Sequence, residues 1–221
     1  IGDSSGIVRP MPHISWVTLS VNESQRQHLL ALQAEFCKAC NVISPVASQN
    51  RCWNRVTLHH LTYRLLREQF PALGAQMACN AIYAVCRAYR LLHQLPNAPW
   101  SGSGVVPQIR FVESAPVYFD RHTLTLKPGL LSLFSMEGRL RFQLQLDQPF
   151  TERFARLRLR EVMLLCREGQ FGLQFSFLEE GETEVRESAE DLPEYLLVLD
   201  PQLQPGAAAI EAVVNMSPSG I

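Results

Sequence analysis

The sequence has no long hydrophobic run, although 47% of its 221 residues are hydrophobic. No window approaches the roughly 18 consecutive apolar residues of a membrane-spanning helix, and the N-terminal segment has no basic stretch followed by an apolar one, as a secretory leader would. The hydrophobic fraction also excludes disorder throughout the chain, because it is enough to bury a core. We therefore expect a soluble, cytoplasmic protein that does not contact a membrane.

Lysine is almost absent, since Lys38 and Lys127 are the only two and arginine supplies the rest of the 20 basic side chains. The planar guanidinium group donates two parallel hydrogen bonds to a phosphate, which suits arginine to nucleic acid. The net charge of -1 argues against such a partner, but the charges are segregated. Residues 1–178 hold 19 basic and 11 acidic side chains, whereas residues 179–221 hold one basic and ten acidic side chains. The sequence therefore predicts a basic body with an acidic C-terminal segment, although a basic body is also typical of an ordinary solvated surface.

The six cysteines lack the even spacing of a disulfide framework, so we expect free thiols in a reducing compartment. Cys37 and Cys40 form a CxxC pair, a spacing at which two thiolates can share a zinc ion. No second CxxC exists, and the pair lies at the end of an apolar helical stripe. We therefore favour buried core thiols and predict no metal site and no cofactor.

Three amphipathic helices are predicted, because apolar residues recur at steps of three and four in three stretches. These stretches are residues 23–42, the segment from Asn54 to Pro71, and residues 72–94. A strand-like stretch, residues 13–21, precedes them, and Asn22 is expected to cap the first helix. Pro45 and the polar residues after it are expected to interrupt that helix.

The third predicted helix has an apolar seam of the kind found in helical bundles. Its other face carries polar side chains, namely Gln76, Asn80, Arg87 and Arg90. Such positions are usually solvated, and they are also candidates for contact with an anionic partner.

From residue 108 onward the hydrophobic pattern alternates with a period of two, which predicts short strands. Six stretches show it: residues 108–113, 117–126, 130–136, 139–146, 162–167 and 170–177. Glu137-Gly138 and Glu168-Gly169 are expected to form tight turns between neighbouring strands. Six short strands indicate a barrel or a sandwich.

Arginines alternate with apolar residues in two of these regions. Arg139 and Arg141 are expected on the outer face of one strand, and Arg156, Arg158 and Arg160 form a similar row. Such rows could follow a phosphate backbone, although solvent-facing arginines on sheets are common.

The expected fold class is α+β, a β-barrel interrupted after its first strand by a helical bundle and followed by an acidic C-terminal segment. The expected boundaries are 13–21 and 108–178 for the barrel, 22–95 for the helical insertion, 96–107 for a linker, and 179–221 for the acidic segment. Within this last segment an apolar run from Tyr195 to Pro201 predicts one more buried strand, which contains Asp200.

One continuous stretch carries a family resemblance. It reads LTYRLLREQFPALGAQMACNAI over residues 61–82 and continues through residues 85–89. Shorter stretches with the same order and spacing are residues 118–121, 135–139 and 170–173. Over roughly residues 13–178 the chain resembles the N-terminal half of TnpB proteins of the OrfB transposase family, which are transposon-encoded RNA-guided nucleases related to type V CRISPR effectors.

The resemblance implies a wedge-type β-barrel with a helical recognition insertion. In the family these parts hold a guide RNA and read a short motif in double-stranded DNA beside the target, while base pairing reads the remainder. The implied partners are therefore a guide RNA and a double-stranded DNA target, with other effector subunits as further candidates. By matching regions, the implied nucleic-acid-binding residues are Gln76, Asn80, Arg87, Arg90, Tyr118, Arg121, Arg139 and Arg141.

The nuclease signature of the family is incomplete in this sequence. The first catalytic strand of the family reads Gly-Val/Ile-Asp-x-Gly, and the nearest stretch here, residues 197–201, lacks both glycines. Two-metal cleavage needs several carboxylates, which Asp200 does not supply even with Glu211 close to it in sequence. We therefore predict a nuclease-deficient chain with no catalytic residues of its own.

Three functions stay open on the sequence alone. The first is binding of guide RNA and target DNA without cleavage, as a regulator or as a subunit of an RNA-guided effector. The second is a protein-interaction subunit of a CRISPR or transposon complex without RNA binding of its own. The third is a nuclease completed by a partner chain, to which Asp200 would contribute, or an inert remnant of a transposase gene.

Overall fold

The computed structural model describes residues 13–94, 105–127, 129–144 and 148–178, together with the pairs 197–198 and 211–212. In these residues the fold is a mixed α+β arrangement of helices and antiparallel sheets, which confirms the expected class. The strands belong to separate open sheets, and no closed barrel is found in the part of the chain that the structure describes.

The helices lie close to their predicted positions. They are α1 (Glu23–Gln49), α2 (Arg55–Gln69), α3 (Gly74–Gln94) and α4 (Gln148–Arg156), with a 3-10 turn at Pro71–Leu73. Asn22 caps α1 as predicted, because its Oδ1 accepts from the Gln25 backbone N–H at 2.9 Å. The Gln25 side chain returns the contact at 3.0 Å by accepting from the Asn22 backbone N–H.

The first helix continues through Pro45 to Gln49, so the predicted interruption is wrong. A proline inside a helix removes one backbone hydrogen bond. The last turns are held from outside the helix instead, since Ser44 Oγ donates to the Ile109 carbonyl at 2.5 Å and Ser48 Oγ donates to the Val106 carbonyl at 2.6 Å. Tertiary contacts therefore carry α1 past the point where local propensity would end it.

The strands form a four-stranded sheet of order β1-β7-β6-β2, a three-stranded sheet of order β3-β4-β5, and the pair β8-β9, all antiparallel. Their bounds are β1 His13–Thr18, β2 Val117–Phe119, β3 Leu124–Lys127, β4 Leu130–Ser135, β5 Gly138–Gln143, β6 Arg158–Arg167, β7 Gln170–Leu178, β8 Leu197–Val198 and β9 Glu211–Ala212. Both predicted hairpins are present, because Ser135 pairs with Gly138 and Arg167 pairs with Gln170 across two-residue turns. The first turn is formed by Met136 and Glu137, one residue before the predicted Glu137-Gly138.

The predicted strand over residues 108–113 is wrong, because this segment is irregular and runs along α1. Side chains of α1 satisfy its backbone in place of a neighbouring strand. Asn41 Oδ1 accepts from the Phe111 N–H at 2.8 Å, and Asn41 Nδ2 donates to the Phe111 carbonyl at 2.9 Å. The predicted strand over residues 117–126 is likewise divided into β2 and β3 by a turn.

Helix α4 was not predicted, because its nine residues are too few for a clear helical period. Phe150 and Phe154 lie one turn apart on it and pack edge-on against the four-stranded sheet. The ring centroids of Phe150 and Phe175 are 5.1 Å apart, as are those of Phe154 and Phe177. Aromatic packing against β7 therefore holds this short helix.

Helices α1, α2 and α3 pack on one another, and α3 also packs on β2. None of the described helices combines the length and apolar character needed to cross a lipid bilayer. Most of the predicted linker lies outside the described residues, as do all but four residues of the acidic segment.

Candidate nucleic-acid interface

The β3-β4-β5 sheet has one buried face and one exposed face. Leu131 and Phe142 are buried on the inner face, as alternation along a strand requires. On the outer face Thr125 pairs with Ser132, and Ser132 pairs with Arg141. A polar row therefore crosses all three strands on the side that faces solvent.

Four exposed basic side chains lie on or beside this outer face, and we call them the basic sheet face: Arg121, Lys127, Arg139 and Arg141. Arg139 and Arg141 alternate along β5, which separates them by about 7 Å on the same side. Lys127 ends β3, and Arg121 lies in the turn between β2 and β3. The sheet therefore gathers on one surface basic residues that are up to 20 positions apart in sequence.

The Arg139 guanidinium lies across the outer face and is held there by hydrogen bonds. Its Nε donates to Ser132 Oγ at 2.8 Å, and its Nη2 donates to the Ser132 carbonyl at 2.9 Å. Longer bonds of 3.3 Å reach Thr125 Oγ1 and the His122 carbonyl. The charge of Arg139 is therefore kept in a defined position, which reduces the entropy lost when a ligand binds.

The turn that carries Arg121 is organised by Asp120. Asp120 Oδ1 accepts from the backbone N–H groups of His122 and Thr123, both at 3.0 Å, and Gln76 of α3 donates to Oδ2. The carboxylate is thus occupied by the turn and by α3. Arg121 stays exposed, and its Nε donates to His122 Nε2 at 3.1 Å.

The other acidic residue of this region is directed away from the basic sheet face. Glu137 lies in the turn between β4 and β5, and its carboxylate contacts His28 Nε2 of α1 at 3.1 Å. Residues 117–144 thus contain four basic and two acidic side chains, and both carboxylates have other partners. The outer face of the sheet and its turns therefore carry more basic than acidic side chains.

The structure divides the eight predicted nucleic-acid-binding residues into two groups. The exposed residues are Arg90, Arg121, Arg139 and Arg141. The residues turned inward are Gln76, Asn80, Arg87 and Tyr118, of which all but Gln76 are buried. The expectation that this face of α3 is available to a ligand is therefore wrong for Asn80 and Arg87, because α3 packs it against the sheet.

The inward residues connect α3 to the turn that carries Arg121. Asn80 Nδ2 donates to the Tyr118 carbonyl at 3.1 Å and reaches Thr123 Oγ1 at 3.4 Å. Gln76 bonds the Asp120 carboxylate, as described above. These two amides hold the turn that carries Arg121, but they are not part of the basic sheet face.

The predicted row of Arg156, Arg158 and Arg160 is not formed as an extended strand. Arg156 ends α4, and β6 begins only at Arg158. The pairing of β6 with β7 is irregular between Leu159 and Glu161, and Arg160 is half-buried with its Nη2 4.0 Å from Glu161 Oε2. A helix end and a bulge therefore break the alternation on which the prediction depended.

The CxxC thiols are buried, as favoured from the sequence. Cys37 Sγ donates to the Phe111 carbonyl at 3.2 Å, and Cys40 Sγ lies 3.9 Å from the Ala81 carbonyl. Burial raises the pKa of both thiols, which keeps them protonated and poor metal ligands. No group of three or more His, Cys, Asp or Glu side chains with metal-binding geometry occurs among the described residues.

The predicted C-terminal strand falls largely outside the described residues. Leu197–Val198 pairs with Glu211–Ala212, while Asp200 is not described. Sequence reasoning also missed Lys127, which completes the basic sheet face. The exposure of Lys127 could have been predicted, because Leu124 and Leu126 alternate with Thr125 and Lys127 in the same way as the residues of β5.

No model of a known protein family matches this chain, and no curated protein is significantly similar to it.

Proposed function

We propose that this chain binds nucleic acid through the basic sheet face and does not cut it. The observation that carries the proposal is the convergence of Arg121, Lys127, Arg139 and Arg141 on one exposed surface, with Arg139 held in place by Ser132. Guanidinium groups donate paired hydrogen bonds to phosphate. A surface with several basic side chains therefore suits the repeating phosphates of a nucleic-acid backbone more than a single small anion.

The resemblance to TnpB proteins supports a guide RNA and its DNA target as the partners. Two of the stretches that carry the resemblance, residues 118–121 and 135–139, lie near each other, because Arg139 Nη1 donates to the carbonyl of His122, the residue that follows the first stretch. Under this proposal the two main sheets correspond to a wedge-type barrel, and α1, α2 and α3 correspond to the recognition insertion. The chain would act as a nuclease-deficient regulator or effector subunit.

The proposal is tested by purifying the full chain from its native host and sequencing any RNA that accompanies it. One discrete structured RNA is the expected result. Protein that is free of RNA and has no affinity for added RNA or DNA at low salt would overturn the proposal. A stable complex with another protein under those conditions would favour the interaction subunit instead.

Salt dependence provides an independent test, because phosphate contacts release counterions on binding. The logarithm of the association constant should fall linearly with the logarithm of salt concentration, with a slope of about -0.7 per phosphate contact on single strands and about -0.9 on duplex DNA. A slope near zero for the full chain would contradict binding through the basic sheet face.

A further inference from the structure

A tryptophan lies at the end of the helical layer, in the loop between α1 and α2. Trp53 is half-buried, and its ring is nearly parallel to that of Tyr89, with 8° between the planes and 6.2 Å between the centroids. The His93 ring lies 5.2 Å away on the same helix, α3. Tyr89 is buried and donates to the Ser44 carbonyl at 3.0 Å, so the ring beneath Trp53 is fixed to α1.

The backbone on both sides of Trp53 is also fixed. Before it, the Cys52 N–H donates to the Ala47 carbonyl at 2.9 Å. After it, Asn54 Oδ1 caps α2 by accepting from the backbone N–H groups of Val56 and Thr57 at 3.0 and 3.1 Å. The indole is therefore presented from a rigid loop between two helix ends.

Exposed basic residues lie close to Trp53 and Tyr89 in sequence. Arg51, Arg55 and Arg90 are exposed. Arg51 and Arg55 are each two residues from Trp53 in sequence, and Arg90 directly follows Tyr89. Arg55 lies over the Tyr83 ring, 5.4 Å from its centroid, and Arg90 Nε donates to the Cys86 carbonyl at 3.4 Å. Both arginines therefore contact α3, the helix that also carries Tyr89 and His93.

Few acidic side chains lie near these arginines in sequence. Residues 36–112 contain eight basic side chains and one acidic side chain, Glu68, although Lys38 and Arg87 pair with Glu35 and Glu161 outside this range. Glu68 lies near the far end of α2 and is paired there with Arg64 at 2.9 Å. The segment that contains Trp53 therefore has a net positive charge, which favours an anionic ligand.

A fixed indole between arginines has the chemistry of a stacking site for an unpaired base. Proteins that bind single strands combine aromatic rings for the bases with cationic groups for the phosphates. We infer that the Trp53 corner, made of Arg51, Trp53, Arg55, Tyr89, Arg90 and His93, stacks a base of single-stranded nucleic acid, while its arginines contact the flanking phosphates. This inference rests on the proposed function and adds a second, single-strand site on the helical layer.

The other described tryptophan provides a matched control. Trp16 on β1 is also half-buried, but Arg167 lies 4.4 Å from its ring centroid, and its ring packs directly on Gly172 of β7. The Trp16 ring is thus covered by Arg167 and Gly172, which belong to strands of the same sheet. Trp16→Leu and Trp53→Leu make the same chemical change in two different settings.

The experiment compares two probes with the full chain. One is an oligouridylate of about 12 nucleotides, and the other is an abasic ribose-phosphate chain of the same length. In the wild-type protein the bases should strengthen binding over the abasic chain. Trp53→Leu should weaken oligouridylate binding about 5- to 100-fold and leave abasic binding unchanged. Trp53→Phe should retain most of the affinity, and Trp16→Leu should retain all of it.

The outcomes separate this inference from the proposed function. Binding of both probes with equal affinity, unaffected by Trp53→Leu, would overturn the stacking site while leaving the basic sheet face intact. Absence of binding to either probe and to duplex nucleic acid would overturn both. If Trp53→Leu fails to fold, the double variant Trp16→Phe, Trp100→Phe isolates the fluorescence of Trp53. Stacking of a base should quench this fluorescence. Unchanged emission on addition of oligouridylate would contradict the inference.

Discussion

Arg87 of α3 and Glu161 of β6 form an ion pair in the interior, with 3.0 Å between Arg87 Nη2 and Glu161 Oε2 and side-chain exposures of 0% and 3%. Tyr83, one turn earlier on α3, donates to Glu161 Oε1 at 2.9 Å. A charge taken out of water is costly unless it is paired and hydrogen-bonded. This contact therefore fixes the position of α3 relative to β6 of the four-stranded sheet.

Removal of one partner of this pair should strongly destabilise the protein. We expect Arg87→Met to lower the free energy of unfolding by about 3–5 kcal/mol, because the buried Glu161 then loses its closest counterion and retains only Arg160 at 4.0 Å. The double variant Arg87→Met, Glu161→Leu should be more stable than Arg87→Met alone. Arg64→Met, which breaks an exposed pair with Glu68, should cost less than about 1 kcal/mol. Urea unfolding of the four proteins measures this, and equal costs for Arg87→Met and Arg64→Met would contradict a buried pair.

A methyl group at Gly172 should be poorly tolerated. The Trp16 indole occupies the position where a Cβ at residue 172 would lie, and the backbone of β7 cannot move away without disturbing its pairing with β1. We expect Gly172→Ala to cost about 1–3 kcal/mol through overpacking. Adding Trp16→Leu should recover part of this loss in thermal unfolding. A stability for Gly172→Ala equal to that of wild type would refute the close contact.

The protein should lose stability at alkaline pH through Cys86. Burial raises the pKa of this thiol from its ordinary value of 9.0 to about 12. The unfolded chain therefore loses the Cys86 proton at lower pH than the folded chain does, so this contribution to stability is full below about pH 9 and declines as the pH rises toward 12. Cys86→Ala should flatten the decline.

The measurement is urea unfolding under reducing conditions at several values between about pH 8 and 10. The pKa of Tyr89 is also raised by burial, which acts in the same direction. Since Tyr89 is present in both proteins, the difference between wild type and Cys86→Ala isolates the thiol. Identical slopes in the two proteins would contradict a raised Cys86 pKa.

Neutralisation of the basic sheet face should weaken nucleic-acid binding and its dependence on salt. Arg141→Gln should reduce the salt slope by about one unit if Arg141 contacts one phosphate, and Arg139→Gln should act similarly. Arg64→Gln on α2 is the matched control, since it removes the same charge from an exposed side chain elsewhere. Filter binding at several salt concentrations measures the slopes. Equal slopes for Arg141→Gln and Arg64→Gln would argue against this face.

Local sequence patterns predicted the elements that short-range physics controls. Asn22 caps α1 through contacts within three residues, and the β4-β5 and β6-β7 hairpins close across two-residue turns. Alternation along β5 correctly placed Arg139 and Arg141 on an exposed face. These features depend only on neighbours along the chain, so the sequence was sufficient for them.

The candidate site was only partly predictable for the same reason. Arg139 and Arg141 follow from the pattern of one strand, but the proximity of Arg121 and Lys127 to them depends on pairing between β3, β4 and β5. The polar face of α3 has the same helical period whether it faces solvent or a sheet. Its burial is decided by the partners that α3 meets, which lie more than 35 residues away along the chain.

The sequence by itself determined the α+β class, the capped helices, the hairpins and the segregation of charge, because each arises from composition or from contacts between near neighbours. Tertiary structure decided which polar residues are available to a ligand. Arg87 and Arg90 are three residues apart on one helix. Arg87 is buried and paired with Glu161, whereas Arg90 is exposed next to Tyr89. The physical reason is that a buried charge needs a partner from a distant segment, and only the folded chain supplies it.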